Sequence, residues 1–190
     1  MARRLVVAAS AWGGLLWLAA SMVSLAQEGD GAPRPTKVAL AEGKLSLTMP
    51  PEWKQEKPRV NLVDFEFSVP GEGEAQPARV TIMAAGGSLQ ANLDRWKGLF
   101  EATGREYAVE KREISGQEVH VVTVAGTYLD RPAGPQAQGQ VTRREAYRML
   151  GGVLVTKHGR YYVKLYGPQE TVAAHEKAFA GVLDSLQVTD

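Results

Sequence analysis

Alternation with a period of two dominates this chain. In "NLVDFEFSVP", Val63, Phe65, Phe67 and Val69 face one way while Asp64, Glu66 and Ser68 face the other. That is the signature of a strand with one face buried. The same reading applies to "KLSLTM" (Leu45, Leu47, Met49), "ARVTIMAA", "YAVEKREIS", "EVHVVTVAGTYL", "REAYRMLGGVLVT" and "RYYVKLYG". Turn residues separate these runs: Pro50-Pro51, "GEGEAQP", Ser115-Gly116 and His158-Gly159. Short turns between extended runs make antiparallel neighbours.

Twice the period changes to 3.6. In "GGSLQANLDRWKGLFEATG", Leu89, Leu93, Trp96 and Phe100 fall on one helical face, with Ser88 as N-cap and Gly104 just past the end. The chain closes on "GPQETVAAHEKAFAGVLDSLQV", where Gly167 can cap and Pro168 suits the first helical position. Val172, His175, Phe179, Val182 or Leu183, and Leu186 form its buried stripe. The predicted order is three strands, a helix, four strands, a helix. This is an α+β domain: a mostly antiparallel sheet of six to seven strands flanked by helices.

The N-terminus has a different character. Arg3 and Arg4 precede an apolar run from Leu5, and Ser24 and Ala26 are small residues before Gln27. This is the order of a secretory signal peptide cut after Ala26. The competing reading is an uncleaved anchor, because the apolar stretch is long enough to span a bilayer. Three segments follow: a signal at 1–26, a flexible Gly/Pro-rich linker at 27–42 and one domain at 43–190. The localisation expected is export to the periplasm or outside the cell.

Composition narrows the function by exclusion. Cleavage removes two of the 22 basic residues and none of the 21 acidic ones, leaving a net charge of −1. Such a balance gives no reason to expect nucleic acid or a membrane surface as partner. The partner class that export suggests is another exported protein. Between residues 143 and 164 six basic residues face a single acid, Glu145. That cluster reads as a solvated hairpin face, with an acidic partner as the alternative.

Two stretches carry a family resemblance. The entry "LSLTMPPEW", a strand, a proline and then Trp53, resembles the opening of PsbP-like domains. The ending "YYVKLYGPQETVAAHEKAFAGVLDSL" is similar to their close, with Phe179 and then Ser185-Leu186 on the last helix. The element order also resembles theirs over residues 43–188. The resemblance implies an α/β/α sandwich of an exported bacterial type. That family includes extrinsic subunits of photosystem II and nuclear-transport regulators. A binding or assembly role without chemistry is what the resemblance implies, with no functional residues to carry over.

The residues themselves give no catalytic pattern. A covalent mechanism needs a nucleophile beside a base. This chain has no cysteine, no G-x-S-x-G elbow and three histidines. His120 lies in an alternating strand, His158 in a turn and His175 on the closing helix, where half-burial with satisfied bonds is the expectation. No metal-binding spacing occurs, and Gly86-Gly87 lack the company of a phosphate loop. No catalytic residue, metal or cofactor is therefore predicted, and the chain reads as a non-enzyme. A hydrolase with a dispersed site is the last class left open.

The remaining candidates are Tyr147, Tyr162, Lys164 and Tyr166, a Tyr-rich sheet face that could take a small ligand or a partner. With His158-Gly159 as the turn, Val155 opposes Tyr162, Val153 opposes Lys164 and Gly151 opposes Tyr166. In that register Tyr166 shields the glycine, and Lys164 keeps its charge in water. The opposite face, with Leu154, Val163 and Leu165, reads as the drier one. Both faces carry enough apolar area to need cover.

Overall fold

A computed structural model describes residues 34–131 and 140–189. The expected signal peptide, its cleavage site and most of the loop after Asp130 lie outside the described residues.

Seven strands form one fully antiparallel sheet. In spatial order they are β3 (Lys54–Glu56), β4 (Phe65–Val69), β5 (Ala78–Ala84), β9 (Gly159–Pro168), β8 (Thr142–Thr156), β7 (Gln117–Asp130) and β6 (Glu106–Ile114). The long-range junction is β5 against β9, where Val80 meets Leu165 and Thr81 meets Lys164. The Ser115-Gly116 hairpin is as read: both residues take positive φ, which suits a two-residue reversal.

A second, three-stranded sheet joins β1 (Thr36–Leu40), β2 (Leu45–Met49) and β10 (Gln187–Val188). This corrects the linker expectation, because the stretch read as a tether carries β1. Alternation is present there too, with Val38 and Leu40 buried and Lys37 and Ala39 exposed. The strand directly follows the Gly-, Pro- and charge-rich stretch before it, which masks its alternation.

Helices cover both faces of the large sheet. On one face α1 (Leu89–Lys97) seats Leu93 and Trp96 on Val122, Val124, Met149, Val153 and Tyr162. Ser88 caps it as expected, its hydroxyl accepting from the Ala91 N–H at 3.1 Å. The C-terminus differs: the helix stops at Gly98, and Leu99 and Phe100 pack from the turn beyond it. The Leu99 carbonyl accepts from Leu129 N–H, so β7 captures the chain before Gly104.

On the other face the closing segment packs Val172, Phe179, Val182, Leu183 and Leu186 against Val163, Leu165, Leu150 and Leu154, with β1 and β2 completing the cover. The predicted single helix is two. Gly167 belongs to β9; α2 (Gln169–Ala174) follows Pro168, and α3 (Glu176–Asp184) follows a break at His175. The break positions His175 between two partners. Its Nδ1 accepts from the Trp53 indole at 3.2 Å, and its Nε2 donates to the Pro70 carbonyl at 2.9 Å.

The glycine pair Gly151-Gly152 explains how both layers approach so closely. A Cβ on Gly151 would lie 2.2 Å from the Trp96 ring, and one on Gly152 would lie 2.5 Å from Leu183. Successive strand residues point to opposite faces, so one doublet admits α1 on one side and α3 on the other.

Candidate functional site

The β8–β9 hairpin displays the four candidate side chains, but in a shifted register. Thr156 pairs with Gly159, which makes Lys157 and His158 the turn residues. Neither takes a positive φ, while Gly159 does at φ 119°. A turn of ordinary backbone followed by a left-handed glycine replaces the glycine-centred turn of the sequence reading. Each residue therefore opposes one two positions from its expected partner. Val153 meets Tyr162, Gly151 meets Lys164, and Met149 meets Tyr166. A shift of two leaves every side chain on its predicted face. The shielding of Gly151 passes from Tyr166 to Trp96.

Freed from that duty, Tyr166 joins a cluster the sequence did not reveal. Tyr128 of β7 stacks on Tyr147 at 5.7 Å and 18° and lies 5.6 Å from Tyr166. Phe100 closes its far side edge-on at 5.4 Å. A β-bulge creates this meeting. Between the Gly126–Tyr147 and Tyr128–Arg144 pairs, Glu145 and Ala146 together face Thr127 alone. Ala146 adopts φ 51°, a left-handed conformation unfavourable for any residue with a Cβ. Strain of this kind gathers beside functional sites.

An ion pair anchors the cluster from β4 and β5. Glu66 is 1% exposed. Arg79 grips it with two bonds of 2.7 Å, one to each carboxylate oxygen. The Arg59 backbone N–H donates a further bond at 3.0 Å. Burial pushes the Glu66 carboxyl up, but the Arg79 and Arg59 bonds and charges outweigh it and hold it below the usual range. Arg79 also donates to the Tyr166 hydroxyl at 2.5 Å. Burial raises the phenols of Tyr128 and Tyr166, so both stay neutral at physiological pH.

These groups line a groove of about 320 Å3. Tyr128, Tyr147 and Tyr166 form its aromatic wall; Glu66–Arg79 and the Asp130–Arg144 pair, at 2.8 Å, stand at its sides. Tyr162 and Lys164 share the sheet face but line a separate cavity nearer α1. Lys164 joins the two sites, with its Nζ 4.3 Å from the centre of the Tyr166 ring. The solvated lysine of the sequence reading is corrected here. Burial, followed by the charges of Arg79 and Arg95, lowers its pKa to about 8.

The other predicted features are structural. Arg143 pairs with Glu101, Arg144 with Asp130 and Arg148 with Glu176, so these members of the basic run are used within the fold. His120 bonds Glu118 at 2.7 Å, and His158 reaches the Thr189 carbonyl at 3.2 Å. Neither ring adjoins a nucleophile in these contacts. Among the described residues no group of three or more His, Cys, Asp and Glu could hold a metal ion. No helix among them is long and apolar enough to cross a membrane. The arrangement offers aromatic surface, fixed hydrogen bonds and charge.

Sequence reading missed Tyr128, Glu66 and Arg79. Glu66 alternates correctly with Phe65 and Phe67, and only the β4–β5 register brings Arg79 diagonally beside it.

No protein-family model and no curated protein matches this chain. Solved structures do resemble it. The cyanobacterial PsbP protein of Synechocystis sp. PCC 6803 aligns with a TM-score of 0.52 and 15% identity, over 85% of this chain and 96% of that one. A variant of the protein Mog1 aligns with a TM-score of 0.52 and 10% identity, over 83% and 97%. The chain has the PsbP-like fold.

Proposed function

We propose that this PsbP-like chain is an exported, non-catalytic accessory module that holds a protein partner in the Tyr128–Tyr147–Tyr166 groove. One observation carries the reading: a strained bulge at Ala146 and a buried Arg79–Glu66 pair are both spent on presenting three tyrosines at one open groove. Aromatic and arginine side chains are the usual anchors of protein interfaces. The Arg-apolar-small order at residues 3–26 supports export. The cyanobacterial PsbP protein and Mog1 share the fold that this reading starts from.

A photo-crosslinking residue at position 147 tests this in the producing cell. One dominant protein adduct is expected, lost on Tyr166→Ser with the fold intact by circular dichroism. Adducts spread evenly over many proteins, or one indifferent to Tyr166, would refute the groove. Intact mass of the exported chain should correspond to a start at Gln27; a membrane-bound product retaining Met1 would refute cleavage.

A further inference from the structure

The second cavity on the tyrosine face is smaller, about 200 Å3, and lies where α1 leaves the sheet. Thr81 and Met83 of β5, Tyr162 and Lys164 of β9, and Arg95 and Trp96 of α1 enclose it. Its charge is one-sided. Lys164 and Arg95 line it, and no Asp or Glu does. Among the described residues Lys164 has no carboxylate partner; its close contact is the Tyr166 ring, and its charged neighbours, Arg79 and Arg95, carry its own sign. Arg95 spends one N–H on Asn92 Oδ1 at 2.7 Å, and a guanidinium has five.

Tyr162, 2% exposed, also lines the cavity, with its hydroxyl buried. Two cations around one hollow with no carboxylate beside them ask for an acceptor with negative charge. The remaining wall is apolar, with Trp96, Met83 and Leu99.

We propose that this cavity binds a small monocarboxylate with a short apolar body. The carboxylate lies between Lys164 and Arg95, while the hydrocarbon rests on Trp96 and Met83. The volume is below that of sites for drug-sized ligands, about 300–1,000 Å3, which limits the body to a few carbons or one ring. The apolar wall disfavours a phosphate, whose dianion keeps more water than this cavity can replace. Lys164 links this site to the Tyr166 ring, but the proposal does not depend on the protein-partner reading given to the tyrosine groove.

The test is a titration of the full exported chain with butyrate, benzoate, butyramide and inorganic phosphate, followed by the NMR signals of the Trp96 indole and the Thr81 amide. Butyrate and benzoate should shift both signals in a saturable way at millimolar concentration; butyramide and phosphate should not. Lys164→Met should weaken butyrate at least about tenfold, the scale of one charge-assisted bond. Arg95→Gln should weaken it several-fold and serves as the second variant, since its side chain is exposed. Butyramide binding as well as butyrate, phosphate binding better, no response to either carboxylate, or undiminished affinity in both variants would each overturn the proposal.

Discussion

The two faces of the large sheet solve the same covering problem with different chemistry. One face buries Phe67, Val80, Ile82, Val163, Leu165 and Leu154 beneath α2, α3 and the small sheet. Its atoms are almost all aliphatic or aromatic carbon, so close packing is enough to stabilise it. The other face is half covered by α1, and beyond the helix it carries Tyr128, Tyr147, Tyr166, Lys164, Arg79 and Glu66. There the polar groups need individual partners, and Lys164, the Tyr162 hydroxyl and the Arg160 Nε–H lack an acceptor among the described residues. The difference is one of chemistry: carbon packing satisfies one face, while the other depends on specific polar pairs such as Arg79–Glu66.

The largest effect should come from the dry face. Phe179→Ala is expected to cost about 3–5 kcal/mol, because the ring is buried in a core that cannot collapse around the loss. Denaturant midpoints measure it, and crosslinking at position 147 should survive wherever the variant is folded. A loss below about 1 kcal/mol would show that the closing segment is only loosely docked.

Gly151→Ala and Gly152→Ala probe the two faces from neighbouring positions. Each added methyl meets a packed side chain and should cost about 1–3 kcal/mol. The faces then separate by spectroscopy: only Gly151→Ala should alter the Trp96 environment, seen in its indole NMR signal. Equal perturbation of Trp96 by both variants would mean that the layers are not independent.

Lys164→Met should stabilise the fold by about 1–3 kcal/mol at neutral pH. The sign follows from the lowered pKa. The unfolded lysine titrates near 10.5 and the folded one near 8. Between those values the unfolded chain binds a proton that the native state has released, so wild-type stability rises with pH. The cost of the buried ammonium is therefore full below pH 8 and gone above pH 10.5. The groups facing the amine are Arg79 on β5, Arg95 on α1, and the Tyr166 ring. Burial raises Tyr128 and Tyr166, and their titration at high pH destabilises both proteins alike, so the difference between wild type and variant isolates the lysine. A variant that is less stable at pH 7 would show that the alkyl stem contributes more than the charge costs.

The smallest effect expected is Ala146→Gly, a gain of about 1 kcal/mol from relieving the left-handed alanine. A softer bulge should also loosen the Tyr128–Tyr147 stack and reduce the crosslink at position 147. Stability gained with crosslinking unchanged would detach the bulge from the groove.

Much of this was legible in the chain. The seven longer extended runs, the Ser115-Gly116 turn and the Ser88 cap all follow from patterns spanning a few residues. β3 and β10 were not, since three and two residues carry too little periodicity to separate from a loop, and β1 was masked by the Gly- and Pro-rich stretch before it. Of the candidate face, Tyr147, Tyr162, Lys164 and Tyr166 were on the correct side of the sheet, and the two-residue register shift could not move them off it. Their partners were beyond reach, because Arg79 and Tyr166 are 87 positions apart.

The sequence by itself determined which way each strand residue points, because side chains alternate strictly along an extended backbone. It also determined that both sheet faces would need cover. Only the tertiary structure decided what each side chain meets. Trp96 sits on Gly151, Arg79 grips Glu66, and the bulge at Ala146 turns Tyr147 onto Tyr128. Such contacts depend on strand order and register between distant segments, which no local period encodes. The same distinction separates an ordinary solvated lysine, as Lys164 reads within its strand, from the half-buried cation it becomes at the edge of α1.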